Sequence, residues 1–290
     1  MKSGFVNILG KPNAGKSTLL NALVGEKLAI VSSKVQTTRH RIRAFVNGPG
    51  YQIVFSDTPG VIEPKYKLHE KMMHAVTTSL EDADVCLLVA DLRDNFDELD
   101  QLFSSLKLKV KSILVLNKSD LVKADRIELA KKYFADKAYC NRIVVLSAQS
   151  KIQVQSLIEG IVDLLPDGEA FYGEDELTDM PTKFFTGELI REKIFELFDE
   201  EIPYQSTVLV SKFEEQQLLI KISAEIIVQR ESQKAIILGS KGVMIKKLGM
   251  LSRQAIEQFL DSKVYLELFV KVRSNWRNND LFLKEYGYIQ

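Results

Sequence analysis

The stretch Gly10-Lys11-Pro12-Asn13-Ala14-Gly15-Lys16-Ser17 constrains this chain more than any other. It has the spacing G-x-x-x-x-G-K-[ST], follows an apolar strand pattern from Phe5 to Leu9, and opens a helical pattern. Glycines let the backbone curl so that successive N–H groups face one point, and the helix starting near Lys16 adds the positive end of its dipole. Such a cradle suits phosphate oxygens. Lys16 can reach the β- and γ-phosphates of a nucleotide, and the Ser17 hydroxyl can ligate Mg²⁺. Residues Gly10, Lys11, Pro12, Asn13, Ala14, Gly15, Lys16, Ser17 and Thr18 are therefore expected to bind nucleotide. A chance glycine-rich turn is the alternative, and the flanking strand and helix patterns argue against it.

The surrounding pattern is an alternating one. Short apolar runs (Phe5 to Leu9, Ile53 to Phe55, Val85 to Ala90, Ile113 to Leu116, Ile143 to Leu146) are separated by helical segments. This predicts an α/β domain with a mostly parallel sheet covered by helices on both faces. Asn47-Gly48-Pro49-Gly50 reads as a tight turn between Arg41–Val46 and Tyr51–Phe55, which puts one antiparallel strand in the sheet. After an acidic stretch without periodicity, the order becomes helix, strand, strand, helix, helix, strand, a small α+β domain. The expected division is 1–168 for the first domain, 169–182 for a linker and 183–290 for the second. The first helix of that second domain has an apolar stripe (Leu189, Ile190, Ile194, Leu197, Phe198) and a mostly acidic polar face, which predicts a core-facing helix.

Composition bounds the class. With 290 residues and 46% apolar content the chain can bury two cores and is not disordered. Its two cysteines, Cys86 and Cys140, cannot build a disulfide framework and read as core fillers of an intracellular protein. No apolar run approaches the roughly 20 residues of a membrane span. The strand pattern beginning at Phe5 leaves no room for a signal peptide, so a cytoplasmic location is expected. Basic and acidic residues balance at 39 each, against a uniformly basic surface. The distribution differs: Glu174 to Glu201 carries ten acidic and three basic residues, whereas Val228 to Arg277 carries ten basic and four acidic ones. That basic region is a candidate nucleic-acid face.

Three further motifs sit at ends of the apolar runs, where ligands of open α/β sheets bind. In Asp57-Thr58-Pro59-Gly60 the carboxylate can hold Mg²⁺ and the Gly60 N–H can sense a γ-phosphate. In Asn117-Lys118-Ser119-Asp120, Asp120 can accept two hydrogen bonds from guanine N1–H and the 2-amino group, a donor pair adenine lacks. Asn117 can tie the base to the phosphate loop, and the Lys118 stem can lie along the base plane. In Ser147-Ala148-Gln149, backbone N–H groups can meet guanine O6.

Together these motifs resemble the nucleotide-binding boxes of translation-factor-class GTPases of the TrmE-Era-EngA-like family, and Gln36-Thr37-Thr38-Arg39 resembles the switch I box of its Era and TrmE branch. The resemblance implies a P-loop NTPase fold of Ras-like type, GTP and GDP as ligands, and Mg²⁺ held by Ser17, Thr38 and Asp57, with the adjacent Thr37 as the alternative to Thr38. It implies catalytic roles for Lys16, Thr38 and Gly60. Asn13 matches the loop asparagine that TrmE-type GTPases use to hold K⁺; a purely loop-stabilising role is the alternative. The position after Gly60, where Ras-like enzymes orient water with a glutamine, is Val61, so slow intrinsic hydrolysis is expected.

Gly239-Ser240-Lys241-Gly242, preceded by Ile237-Leu238 and followed by Ile245, resembles the G-x-x-G loop of a type II KH domain, which passes its backbone close to four nucleotides. Gly239, Ser240, Lys241, Gly242, Lys246, Lys247, Arg230 and Lys234 are the expected RNA-binding residues. Segments at Leu189–Lys193, Gln229–Lys234 and Leu266–Val272 extend the resemblance to the Era family nearly end to end. Membership implies binding of 16S ribosomal RNA near its 3′ end and a role in assembly of the small ribosomal subunit; a monomer in the cytoplasm is expected, with peripheral association with the inner face of the cell membrane as the alternative. The rival expectations are a GTP-gated scaffold with little turnover and a peripheral membrane GTPase. His40, His69 and His74 lack metal-ligand spacing. Arg39, Arg41 and Arg43 alternate along one strand face, which favours a solvated role, and Trp276 is expected to pack the C-terminal segment rather than stack on RNA.

Overall fold

The computed structural model describes residues 1–32 and 34–288. The chain forms two compact units. The first comprises residues 1–29, 38–63 and 72–179; the second comprises 30–37, 64–71 and 180–290.

The first unit holds six strands: β1 (Lys2–Gly10), β2 (Ile42–Gly48), β3 (Tyr51–Asp57), β4 (Val85–Asp91), β5 (Lys111–Asn117) and β6 (Arg142–Val145). Their order is β2-β3-β1-β4-β5-β6, with β2 antiparallel to β3 and every other pair parallel. The near-continuous apolar runs follow from burial on both faces; every residue of β4 is buried. Helices α1 (Lys16–Val24), α2 (Lys67–Glu81, its first turn grouped with the second unit), α3 (Phe96–Ser105) and α4 (Ala124–Phe134) connect the strands, and α5 (Val154–Val162) follows β6. Phe103 and Phe134 are wholly buried beside Leu88, Leu99 and Leu116, each such side chain contributing about 2 kcal/mol of apolar burial. Cys86 is buried and Cys140 half-buried, both as thiols. Parallel strands bring their carboxyl ends to one edge, so Gly10, Asp57, Asp91 and Asn117 end neighbouring strands of one sheet.

The acidic segment 169–179, expected as part of a linker, packs on the first unit. Gln52 Oε1 accepts from the Phe171 and Tyr172 amides, the Tyr172 ring stacks on Phe45 at 3.8 Å, and Phe45 N donates to Leu177 O at 2.9 Å. Arg43 pairs with Asp179 and Arg41 with Asp82, so neither is simply solvated.

The second unit contains α6 (Thr182–Leu197), α7 (Ile202–Gln205), β7 (Thr207–Glu215), β8 (Ile220–Val228), α8 (Glu231–Leu238), α9 (Val243–Leu260), β9 (Val264–Val272) and α10 (Asp280–Glu285). Its sheet has the order β7-β8-β9, antiparallel then parallel. The apolar stripe of α6 packs with α9 and the sheet: Ile194 joins Ile226, Ile237 and Leu248, and Leu189 and Ile190 join Ile222 and Ile256. The polar side of α6 is also buried at Glu188, Arg191 and Glu192. Trp276 is wholly buried, donates Nε1–H to Gln205 O at 3.0 Å and stacks near Tyr288, so it packs the C-terminal segment. Ile289 and Gln290, the end of the expected second domain, lie outside the described residues.

Candidate nucleotide site and nucleic-acid interface

Residues 10–17 form the turn from β1 into α1. Gly15 sits at φ +96°, and a Cβ there would lie 2.4 Å from Asn117 Nδ2, so only glycine lets the loop approach the end of β5. Lys16 is 6% exposed, and its Nζ donates to Gly10 O at 3.2 Å and Lys11 O at 2.9 Å. Burial pulls the Lys16 ammonium down to about 8, with the nearby Asp57 carboxylate acting in the opposite sense. Burial raises the Asp57 carboxyl, opposed by Lys16 and by hydrogen bonds from Ser17 and Thr38.

Three oxygens converge at the mouth of this loop. Ser17 Oγ lies 2.7 Å from Asp57 Oδ2 and 2.7 Å from Thr38 Oγ1, and Thr38 Oγ1 lies 3.3 Å from Asp57 Oδ2. Asp57 Oδ1 is buried without a hydrogen-bond partner. A buried carboxylate oxygen left unsatisfied is costly, and two hydroxyls with one carboxylate are hard donors; the set fits Mg²⁺. The Thr37 hydroxyl donates instead to Lys34 O at 2.8 Å. The loop after Asp57 is drawn onto the same turn: Thr58 Oγ1 donates to Ile8 O, Val61 N to Gly10 O, and a Cβ on Gly60 would meet Pro12 N at 2.9 Å.

The other two motifs interlock with the loop. Asn117 Nδ2 donates to Ala14 O at 2.9 Å, and Asn117 Oδ1 accepts from Ala148 N at 3.0 Å. Lys118, in left-handed backbone at φ +62°, donates to Asn13 O at 2.6 Å. Ser147 N donates to Ile152 O, so of the three amides expected at guanine O6 two already bind within the protein. Asp120 is exposed at the end of β5 and, with Ser119, Ile127 and Lys131, lines a cavity of about 470 Å³. Asn13 is exposed at the loop tip with φ +62°.

In the second unit, Gly239 to Gly242 forms the turn between α8 and α9. Gly239 (φ +68°) would place a Cβ 2.7 Å from Met244 Cγ, so the turn is closed to larger residues there. Arg230, Ser240, Lys241, Lys246 and Lys247 are exposed, while Lys234, in the first turn of α8, is half-buried. Beside this turn runs a groove of about 410 Å³ lined by Ile245, Lys246, Gly249, Met250, Arg253, Leu266 and Leu268. One wall is α9 and the other is β9, an edge strand. A concave surface with apolar walls, a basic rim and a glycine turn at its mouth suits unstacked bases and the phosphates joining them.

The family model described as 50S ribosome-binding GTPase matches residues 5–118, and the KH domain model matches 201–277. GTPase Era of Geobacter sp. (strain M21) is 42% identical over 99% of this chain and 98% of its own. A chloroplastic GTPase ERA-like protein of Oryza sativa subsp. japonica is 43% identical over 99% of this chain and 69% of its own. The crystal structure of an Aquifex aeolicus Era variant bound to GDP and AlF4⁻ superposes with a TM-score of 0.95 at 37% identity, covering 100% of both chains. The structure of Era in complex with MgGDPNP and nucleotides 1506–1542 of 16S ribosomal RNA superposes with a TM-score of 0.93 at 38% identity, again over 100% of both.

The chain belongs to the Era family of GTPases. As a member it has a P-loop GTPase domain followed by a KH domain, and it hydrolyses GTP. No helix among its described residues is long and apolar enough to cross a membrane.

Two features of this Era-family chain escaped the sequence reading. Asp91, ending β4, pairs with Lys118 at 2.8 Å and with both Arg93 Nε and Nη2. Burial raises the Asp91 carboxyl, but those hydrogen bonds outweigh it and hold it at about 2. Asp91 thus stays ionised and fixes the Lys118 stem; its signal was an acid at a strand's carboxyl end, next to the motif strand. Gly249, Met250 and Arg253 continue the face of α9 that begins at Lys246, a spacing of three to four residues that could have flagged the groove.

Proposed function

We propose that this protein is a GTP-driven RNA-binding factor that binds 16S ribosomal RNA near its 3′ end and acts in assembly of the small ribosomal subunit. GTP binds with its phosphates on residues 10–18 and its guanine against Asn117, Lys118 and Asp120, and the Gln149 amide serves O6. Asp120 accepts from N1–H and the 2-amino group, which rejects adenine. Ser17, Thr38 and Asp57 would hold Mg²⁺, which would offset charge on the β- and γ-phosphates. Lys16 reaches the same oxygens, and the Gly60 N–H contacts the γ-phosphate, so Thr38 and Gly60 are held only while that phosphate is present. Val61 offers no side chain to orient water, which keeps basal hydrolysis slow. In this reading Asn13 would hold a K⁺, which would offer positive charge for the negative charge that develops on the phosphate oxygens.

RNA follows the Gly239–Gly242 turn with its phosphates near Lys241, Lys246 and Lys247 and its bases in the groove between α9 and β9. The observation that carries this reading is the union, in one chain, of the Ser17–Thr38–Asp57 cluster with a basic groove behind a G-x-x-G turn. The family model's description names the large subunit, whereas the relative solved with RNA holds a small-subunit fragment. We follow the latter because that relative matches both units rather than the first alone. The test is binding of a 16S 3′-terminal oligonucleotide to the full chain with a non-hydrolysable GTP analogue, with GDP, and with neither. Affinity that depends on the nucleotide supports the assignment; equal affinity for a scrambled oligonucleotide refutes it.

A further inference from the structure

Helix α6 carries three charged side chains that water barely touches: Glu188 is 7% exposed, Arg191 1% and Glu192 2%. Burying charge is expensive unless each group is paired and hydrogen-bonded. Arg191 meets Glu188 as a two-pronged fork, with Nε 2.8 Å from Oε1 and Nη2 on Oε2. The same Nη2 also donates to the main-chain carbonyl of Thr37. Glu192 Oε1 accepts from the Val31 amide at 3.1 Å, and Lys34 Nζ donates to Phe195 O at 2.7 Å and pairs with Asp199 at 2.7 Å. Val31, Lys34 and Thr37 are therefore held within the second unit by α6 and its carboxyl end, and the Arg191 contact is the last before the chain enters the first unit at Thr38.

The peptide that Arg191 grips is the one leading into Thr38. A peptide is planar, so fixing the Thr37 carbonyl fixes the Thr38 N–H and, through it, the origin of the Thr38 side chain. Thr38 Oγ1 is the hydroxyl 2.7 Å from Ser17 Oγ beside Asp57. We infer that Arg191 is a positioning residue for Thr38: its fork on Glu188 holds the Thr37 carbonyl so that the Thr38 hydroxyl is presented to the metal and γ-phosphate. The inference rests on the reading of Ser17, Thr38 and Asp57 as the metal site of a GTPase. A lysine cannot replace the fork, because a single ammonium lacks the planar set of donors that joins a carboxylate and a carbonyl at once. Since switch threonines engage only when the γ-phosphate is present, Arg191 should matter for triphosphate and not for diphosphate.

The experiment measures binding of fluorescent GDP and of a non-hydrolysable GTP analogue to the full chain across Mg²⁺ concentration, together with GTP turnover. Arg191→Lys is expected to weaken the GTP analogue at least tenfold, to raise the Mg²⁺ needed for half-saturation, and to change GDP affinity less than twofold. Thr38→Ala should show the same selectivity, and the double variant Arg191→Lys/Thr38→Ala should be no worse than Thr38→Ala alone. Parallel loss of GDP and GTP affinity, or additive effects in the double variant, overturns the proposal and leaves Arg191 a purely structural residue. If Arg191→Lys does not fold, Glu188→Gln/Arg191→Met removes the buried pair while keeping its volume, and the same selective loss is expected. If Thr38→Ala itself leaves the GTP analogue unaffected, the metal-site reading fails, which is a different result from the failure of Arg191 alone.

Discussion

The two binding regions of this molecule are built by opposite means. At the nucleotide site the groups expected at the phosphates and metal are buried and already bonded within the protein: Lys16, Asp57 and Asn117 are all buried, and Asn117 joins the phosphate loop to Ala148. At the proposed RNA groove the basic groups are exposed, and the glycine turn and two apolar walls give the groove its shape. A phosphoryl-transfer site needs atoms held in place before substrate arrives, so a low-dielectric, interlocked network is suited to it. A single-stranded nucleic acid is gripped by charge and stacking, which tolerate motion, so exposed lysines suffice. The difference teaches where single substitutions will act sharply and where their effects will be spread.

Asp120→Asn should cut GTP affinity roughly a hundredfold, because an amide cannot satisfy both guanine donors, and should favour xanthine nucleotides, whose ring carries a carbonyl at position 2. Competition binding with GTP and XTP checks it, and an unchanged preference for GTP would break the interlocked-site side of the comparison. Gly242→Asp should weaken RNA binding about tenfold by placing a carboxylate beside the phosphate path. A Cβ at this position meets only Ile245 Cγ2 at 3.9 Å and aspartate tolerates the left-handed backbone, so the chain should fold and hydrolyse GTP at the normal rate. RNA filter binding beside a turnover assay separates the two effects.

The smallest effect concerns pH. Lys16 sits near 8 before nucleotide binds, below its ordinary value of 10.5. Phosphate oxygens favour the charged ammonium and so raise it. Binding therefore takes up a proton above about pH 8, and nucleotide affinity should fall as pH rises past that point, by at most tenfold per unit, and stay flat from this group below pH 7. Calorimetry in buffers of differing ionisation enthalpy reads the proton uptake.

Much of the first unit was legible because its signals are local. A strand buried on both faces is an apolar run, and loops at strand ends carry short motifs of fixed spacing. The order of the second unit was equally readable from alternating runs. What escaped depends on partners far away in sequence. Segment 169–179 looks like an acidic linker, yet Gln52 and Phe45, more than a hundred residues earlier, capture it. The acidic side of α6 looks solvent-facing, yet Glu188 and Glu192 are buried against Arg191 and Val31. A sequence displays each charge but not its counter-charge. The hydroxyl of Thr38 rather than Thr37 reaches Ser17, a distinction of one residue that only backbone direction decides.

The most direct test of the central claim is calorimetric titration of GTP and GDP into the full chain with and without Mg²⁺, repeated on Lys16→Ala. One site per chain is expected, tightened by Mg²⁺ for GTP and at least a hundredfold weaker in Lys16→Ala. Guanine nucleotide binding that ignores both Mg²⁺ and the loss of Lys16 would contradict it.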